Sequence, residues 1–560
     1  MTDKKLLLDY VYDHEVSLAD AVFMTQPIGG DKVIDYTWAQ TVDQARRMAA
    51  HLKAQGFEPG ARIAMLSKNC AHFIMAELAI WMAGGTTVAI FPTETAHTIS
   101  YVLQHSGASL LFVGKLDSWE AQKSAVPAGM PCISFPLAPK NDFDSWDAII
   151  ARTAPLQGRI QRAPDDLSMI AYTSGSTGEP KGVMHNFGRA TEACLAIAGT
   201  MVHNLPAGVE LRVLSYLPLA HIFERGWIEG LAFIHGRGRL FFAESLDTFL
   251  QDVRRARPTV FQSVPRLWLK FQQGVFAKMP AKKLDRLLRI PILRKIVARK
   301  VLAGLGLDQT YLATSGSAPI PAELISWYRR LGLTVLEGYG MTEDYACSHA
   351  SSVEINAPGY VGAPIPGVEV RISDEGEILI KSPGQMVGYY KRDDLNAEVF
   401  TSDGFFRTGD RGERQPNGLL KITGRVNELF KTSKGKYVAP APIENLLNAN
   451  PLIEQSMVTG VGQPQPCALV VLSENIRPQL GDPAVRERVT AELNVLLTSV
   501  NARLADYEQL YRIVVAKEPW TIENGMLTPT MKVKRSRIEA ATQDHLDGWY
   551  AAKQKVCWAQ

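Results

Sequence analysis

Charge of one sign is scarce in this sequence: 60 Lys and Arg stand against 57 Asp and Glu on 560 residues, a formal net charge of +3. A balance this near neutral supplies no field that would make nucleic acid the main partner, although it allows a local basic patch. Cysteine is equally sparse. Cys70, Cys132, Cys194, Cys347, Cys467 and Cys557 lie far apart, with no CxxC pair and no Cys/His cluster at zinc spacing, which excludes a disulfide scaffold and points to a reducing compartment. The first residues, MTDKKLLLDYVYDHE, lack the continuous apolar region of a secretory signal, because Asp9, Asp13 and Glu15 interrupt it, so a cytoplasmic location is expected. One stretch, 73–91, is mostly apolar over bilayer length, but Glu77, Gly84, Gly85, Thr86 and Thr87 fall within it. It reads as a buried helix followed by a buried strand. There is no internal repeat, no low-complexity tract, and no GxxxxGK[ST], GxSxG, HExxH or GxGxxG motif, which weakens P-loop, hydrolase, zinc-peptidase and dinucleotide readings.

What is present is an ordinary globular composition, 46% hydrophobic, long enough for about three to five domain-sized units. The first third alternates helix and strand signals: helix at 38–55, strand at 62–66, helix from Ala71, strand at 87–91, helix from Ile99, strand at 110–113. That order predicts an α/β fold with a mainly parallel sheet covered on both faces. Between 359 and 422 short apolar runs (368–372, 377–381, 419–422) separated by Gly, Pro, Asp and Asn predict a smaller antiparallel β region. After Gly424 the chain turns charged and Gly/Pro-bearing, so we expect a large N-terminal region, 1–426, and a small mobile C-terminal α+β domain, 427–560. Strands at 455–461 and 467–472 and helices at 486–504 and 536–552 are expected in the latter.

The segment MIAYTSGSTGEPKGV, from Met169, carries the clearest chemistry. A buried strand ending at Tyr172 delivers the chain into Thr173, Ser174, Gly175, Ser176, Thr177 and Gly178, with Lys181 beyond. Glycines let backbone N–H groups converge, the hydroxyls add donors and the lysine adds positive charge, a combination suited to polyphosphate. Pro180 occupies the place of the second Walker A glycine, so this is a different phosphate loop. In EGYGMTED, from Glu337, Tyr339 offers a flat face for a base, and Glu343, directly after the Thr342 hydroxyl, offers a carboxylate for a divalent cation. Gly316, Ser317, Ala318 and Pro319 form a small-residue turn along which a planar ligand can lie close to backbone. Asp410, in RTGD, has two oxygens able to accept a pair of vicinal hydroxyls; taken alone, an Asp after Gly is more often a turn residue. His221, in LPLAHIFE, sits among apolar residues, where a histidine is commonly a satisfied core group.

Taken together these blocks resemble the adenylate-forming, AMP-binding family, which includes acyl-CoA synthetases, adenylation domains and luciferases. Seven blocks follow that family's order: the loop from Met169, SYLPLAHIFER from Ser215, SGSAPIP from Ser315, EGYGMTED, FFRTGDRGE from Phe405, GRVNELFKTSKGKYVAPAPIEN from Gly424 and LTPTMKVKR from Leu527. The last two, and VPRLWLKF from Val264, are similar to long-chain fatty acyl-CoA synthetases. The resemblance implies ATP held by the 173–178 loop and Lys181, by Gly316–Pro319, and by Tyr339, Gly340 and Thr342. It also implies ribose on Asp410, Arg425 nearby, and Mg²⁺ at Glu343. His221 becomes a wall between carboxylate pocket and phosphates, Lys532 the lysine of the adenylation step, and Lys434 and Gly435 a loop towards coenzyme A. The implied reaction joins a medium- to long-chain fatty acid to ATP as an acyl-adenylate and then to CoA; another acid, or a carrier-protein thiol as acceptor, stays open. Two departures stand out: Asn427 occupies the hinge position usually held by Asp or Lys, and Met531 replaces a glycine. A register shifted by two would select Lys534 in place of Lys532.

One run is left over. Residues 281–300, AKKLDRLLRIPILRKIVARK, carry eight basic side chains and one acidic. Such a stretch can lie on an anionic membrane surface, or be a helix solvated on one face and packed on the other.

Overall fold

The computed structural model describes residues 4–173, 179–203 and 205–559. Its central element is an eight-stranded sheet in the order Gly388–Tyr389, Lys181–Asn186, Leu167–Thr173, Thr86–Ile90, Arg62–Leu66, Leu110–Val113, Cys132–Ser134 and Asp144–Ser145. The six strands from Leu167–Thr173 onward run parallel, as the βα alternation requires, and Lys181–Asn186 pairs antiparallel with both of its neighbours, Leu167–Thr173 and the edge strand Gly388–Tyr389. The parallel strands are covered by helices Trp38–Ala54, Ala71–Met82 and Ala96–Ser106, each close to its expected position. All twelve residues of Ala71–Met82 are buried, so the stretch that resembled a membrane span is a core helix followed by a core strand. Each large apolar side chain so buried contributes about 1.5–3 kcal/mol. Among the described residues no helix is long and apolar enough to cross a membrane.

A second sheet pairs Val260–Ser263, Leu312–Ser315 and Val335–Tyr339 in parallel. Its strand ends carry the SGSAPIP and EGYGMTED segments, which therefore emerge side by side. The antiparallel region expected after residue 359 is a four-stranded sheet, Glu369–Ile372, Glu377–Lys381, Phe406–Arg414 and Leu420–Arg425. A further sheet joins Leu211–Ser215, Gly238–Phe242, Val22–Pro27 and Val33–Thr37.

Beyond Arg425 the chain builds its own sheets: a short hairpin, Phe430–Lys431 with Tyr437–Val438, and four strands, Ile453–Thr459, Cys467–Leu472, Ile513–Val515 and Val556–Trp558. The last two are three residues long, too short to announce themselves by alternation. The helix expected over 536–552 is broken into Arg535–Thr542, a 3-10 turn Gln543–His545 and Leu546–Ala551; Asp544, His545 and Gly548 are poor helix formers. Ion pairs tie this part to the rest: Arg266 to Glu454, and Arg503 to Glu323 at 3.6 Å.

Candidate active site

The phosphate-loop segment is a hairpin, not a strand-to-helix turn: Leu167–Thr173 pairs antiparallel with Lys181–Asn186, with Thr173 opposite Lys181. Ser174, Gly175, Ser176, Thr177 and Gly178 lie outside the described residues. Lys181 stands with its ammonium 5.2 Å from the centre of the Tyr389 ring, a cation–π arrangement. The Tyr389 hydroxyl donates to Oε1 of Glu343 at 2.7 Å, and the Met386 N–H donates to the Glu343 carbonyl at 2.7 Å. The edge strand Gly388–Tyr389 thus bridges the phosphate hairpin to the carboxylate proposed for a cation. Sequence reading had singled out neither Tyr389 nor its strand, because a two-residue strand has no period to detect.

Thr342 and Glu343 sit in a 3-10 turn, Thr342–Asp344, held from several sides. His185 Nε2 lies 2.8 Å from the Thr342 carbonyl. A carbonyl only accepts, so Nε2 carries the proton, and burial pushes the ring's pKa down to about 4, keeping it neutral. Asp344 accepts the Met341 N–H at 2.8 Å. Tyr345 and Ala346 follow with φ of 59° and 53°, two consecutive left-handed residues without the glycine that usually occupies this region. The Trp227 indole donates to the Ala346 carbonyl at 2.9 Å and helps to hold that turn. Gly340 is needed for space: a Cβ there would lie 2.7 Å from the Ala346 Cα.

Tyr339 donates to Oδ2 of Asp410 at 2.7 Å, while Arg425 Nε reaches Oδ1 at 2.9 Å. Asp410 and Arg425 face each other across the pair Phe406–Arg414 and Leu420–Arg425. The Asp410 carboxylate holds the Arg425 guanidinium's pKa above its usual value. Gly316 donates to the Ser263 carbonyl at 3.1 Å, Ser317 has φ of 68°, and Ala318 and Pro319 are exposed, so this turn forms an open rim beside Tyr339.

His221 caps the short helix Ile222–Glu224, accepting the Phe223 N–H on Nδ1 at 3.2 Å, and meets Phe91 edge-on at 6.3 Å. Burial, aided by the Lys532 ammonium, pushes its pKa down to about 3. The ring is therefore neutral at physiological pH.

Lys532 is carried in from the C-terminal part on a tight hairpin. Leu527 bridges Val533, the Thr528 N–H donates to the Lys532 carbonyl at 2.8 Å while the Lys532 N–H donates to the Thr528 hydroxyl at 3.1 Å, and Met531 takes φ of 63°, the conformation for which glycine is favoured. Its side chain keeps contact with solvent, yet the protein around it and the Arg425 guanidinium push its pKa below the usual lysine range, while Asp410, Glu343 and Glu428 oppose that shift. Asp410 and Glu343 are the carboxylates that accept from Tyr339 and Tyr389. Lys534 falls within electrostatic reach of Glu94 instead. Lys434 and Gly435 are at the exposed tip of the hairpin Phe430–Lys431 with Tyr437–Val438. Asn427 lies in the 3-10 turn Val426–Glu428.

A buried ionic cluster beside the short helix that His221 caps was not legible in the sequence. Arg225 ion-pairs with Glu77, approaches Glu229 at 3.4 Å and donates through Nε to the Leu219 carbonyl at 2.8 Å. Glu224 accepts from Ser215 Oγ at 2.6 Å, Asn69 Nδ2 at 3.2 Å and the Tyr216 N–H at 3.1 Å, and burial raises its pKa to about 8. The chain from Arg225 to Gly230 is a π-helix, a bulged form associated with functional sites.

With regard to a divalent cation, the described residues contain no cluster of three or more His, Cys, Asp or Glu able to hold one unaided. One carboxylate, Glu343, beside a phosphate loop does fit Mg²⁺ that arrives on a nucleotide, since that ion takes one or two protein carboxylates plus phosphate oxygens.

A family model described as AMP-binding enzyme matches residues 16–390, and one described as AMP-binding enzyme C-terminal domain matches 428–554. The chain is 30% identical over 597 aligned positions to Long-chain-fatty-acid--CoA ligase FadD15 of Mycobacterium bovis, covering 96% of each, and 32% identical to Long-chain-fatty-acid--CoA ligase 5 of Mus musculus, covering 92% of this chain and 84% of the relative. In fold it is similar to the adenylation domain of a carboxylate reductase from Mycobacterium chelonae (TM-score 0.80, 23% identity, 98% of this chain and 92% of that one). It is similar also to the anthranilate CoA ligase AuaEII in complex with anthranoyl-AMP (TM-score 0.75, 19% identity, 97% and 98%).

Proposed function

Because the chain belongs to the AMP-binding enzyme family, we propose that it activates a fatty acid of medium to long chain with ATP and transfers the acyl group to coenzyme A, releasing AMP and pyrophosphate. The observation that supports this reading is the Asp410 carboxylate bonded to Tyr339 and Arg425, with Lys532 of the C-terminal part within electrostatic reach of Arg425, Asp410 and Glu343. Residues 1–426 and 427–560 are, in this reading, two bodies with the nucleotide between them. All six cysteines are free thiols, in keeping with a cytoplasmic enzyme.

The substrate carboxylate is already ionised at neutral pH and attacks the α-phosphorus directly, so the first step needs no general base. What it needs is position and positive charge. Tyr339, against Gly316–Pro319, holds the adenine; Asp410 accepts the ribose hydroxyls; Thr173, the following loop and Lys181 hold the phosphates with Thr342. Mg²⁺ at Glu343 would supply charge neutralisation on the phosphate oxygens. Lys532 supplies a second cation at the α-phosphate, and neutral His221 walls off the acyl carboxylate without competing for its charge. A CoA thiol is a sufficient nucleophile near pH 7 without a dedicated base. For that step the C-terminal body turns, withdrawing Lys532 and bringing Lys434 and Gly435 towards the thiol's approach.

The test is pyrophosphate release and CoA-thioester formation over acids from acetate to oleate, with aryl acids included. Each buried methylene is worth up to about 0.8 kcal/mol, roughly four-fold in kcat/KM, so activity should climb over many carbons before levelling. Equal use of acetate or benzoate and dodecanoate would refute the chain-length reading, and adenylation without thioester would move the acceptor to another thiol.

A further inference from the structure

The basic run left over from the sequence folds into two surface helices, Ala281–Leu288 and Pro291–Leu305, joined at Arg289 and Ile290. Only Leu284, Leu288, Ala298 and Leu305 of these helices are buried. They anchor the pair on the cluster around Trp268, Phe271 and Trp327. Every residue from 289 to 296 is exposed. That stretch includes four large aliphatic side chains, Ile290, Ile292, Leu293 and Ile296, with Ile292 at 76% and Ile296 at 60% exposure. Ile292 and Ile296 are one helical turn apart and so share a face. All eight basic side chains of 281–300 are exposed as well, and the single acid, Asp285, is paired with Arg330 at 2.9 Å.

Beside the aliphatic ridge runs a cleft of about 670 Å³ whose walls include Arg289, Arg294, Lys295, Arg299 and Arg330. Its one acidic wall residue, Asp308, is engaged by Arg257. None of its lining residues belongs to the nucleotide site.

We propose that these two helices are a docking surface for an anionic lipid bilayer, with Ile290, Ile292, Leu293 and Ile296 entering the headgroup–acyl boundary and the cleft arginines and Lys295 holding lipid phosphates. Two features select a bilayer over a polyanionic macromolecule. Exposed aliphatics in the middle of a basic field are stabilised by entering hydrocarbon, and the long Lys and Arg stems can lie along them with their charges at headgroup level. The segment also contains no aromatic, amide or hydroxyl side chain from 281 to 305 with which to stack or read bases. Docking here does not depend on the acyl-activation reading.

Vesicle co-sedimentation of the full chain tests it. The protein should bind vesicles containing phosphatidylglycerol and bind phosphatidylcholine vesicles much less, with affinity falling as salt rises. Each basic side chain near the surface is worth about five-fold in partitioning, so R294E/K295E should lose at least about 25-fold. I292S/I296S, which keeps the charge, should lose about ten-fold or more and leave the remaining binding more salt-sensitive. Thermal unfolding of both variants should match the parent, since all four side chains are exposed. Unchanged partitioning in either variant would overturn the proposal. So would binding of tRNA at the same salt that is as tight as vesicle binding and is lost in I292S/I296S.

Discussion

Tyr339 and Asp410 are joined by a 2.7 Å hydrogen bond in which the phenol donates to Oδ2, while Oδ1 is taken by Arg425 at 2.9 Å. The residue proposed to face the adenine and the residue proposed to hold the ribose are therefore one unit. A carboxylate oxygen has more than one acceptor direction, so each can accept a ribose hydroxyl without releasing its protein partner. In the proposed reading, these protein contacts preorganise the nucleotide pocket.

Separating the two roles requires paired variants. Asp410→Asn keeps the shape but weakens two charge-assisted bonds, and the KM for ATP should rise by about 10- to 100-fold, the scale of a lost hydrogen bond to a charged group. Tyr339→Phe keeps the flat face and loses only the hydroxyl, so its KM should rise by less than about ten-fold. Pyrophosphate-release kinetics check both. A Tyr339→Phe effect as large as that of Asp410→Asn would mean that the hydroxyl itself binds nucleotide.

The Arg225 cluster makes a prediction about stability. Replacing Arg225 with Leu leaves the buried Glu77 and Glu229 carboxylates without their cation, and breaking such a cluster from one side costs about 3–5 kcal/mol. Burial already raises the Glu229 pKa well above the usual carboxylate range. Arg225 opposes that rise, so without it Glu229 is best tolerated protonated and the loss should be larger at pH 8 than at pH 6. Urea unfolding at the two pH values measures this; a loss independent of pH would show that one or both carboxylates find another cation.

Legibility followed sequence distance. Strands 62–66, 110–113 and 467–472 lie where local pattern put them, because burial on both faces writes a continuous apolar run into the sequence, and 377–381 does so through the alternation of Ile378 and Ile380, buried, with more open neighbours. Tyr339, Thr342, Glu343, Asp410 and Lys532 were reached through ordered blocks, each a local string. What the sequence could not announce were partnerships over long separations: Glu343 with Tyr389, Glu77 with Arg225, and His185 with the Thr342 carbonyl. A tyrosine 46 residues from its carboxylate, or a glutamate 148 residues from its arginine, has no spacing rule. Nor does composition say that Met531 would adopt a left-handed conformation to present Lys532.

Acid sensitivity should come in part from His72. It is buried against Tyr36, Phe135 and Trp146, and burial lowers its pKa from 6.5 to about 4. The unfolded chain binds the extra proton across that window, so this residue's contribution to stability is present above pH 6.5 and is lost as pH falls towards 4, at up to about 1.4 kcal/mol per pH unit. His72→Phe keeps an aromatic ring in the site and removes the titration. The stability difference between parent and variant, followed by urea unfolding from pH 7 to pH 4.5, should shift in favour of the variant by about 2 kcal/mol as pH falls. A constant difference would show that His72 does not titrate on unfolding.

Lys532 makes the sharpest prediction, because one ammonium is assigned to one half-reaction. Charge builds at the α-phosphate only while the acyl-adenylate forms, and removing one preorganised donor from such a transition state costs about 10²–10³ in rate. Lys532→Ala should lose that much in pyrophosphate release. Supplied with synthetic acyl-adenylate and CoA, it should make thioester at close to the parent rate, since in the proposed rotation the lysine leaves the site before the thiol attacks. The direction of its pKa gives a second signature: with desolvation by the surrounding protein and Arg425 favouring the neutral amine, adenylation should fade on the alkaline side below the usual lysine range, and thioester formation should not share that limb. Lys534 faces Glu94 instead, so Lys534→Ala should be mild in both assays. Equal losses in both halves for Lys532→Ala would reveal a general binding defect. A severe, adenylation-only loss for Lys534→Ala would move the assignment two residues along the same hairpin and leave the reaction class standing, because Asp410, Glu343 and the phosphate hairpin would still define where the nucleotide sits.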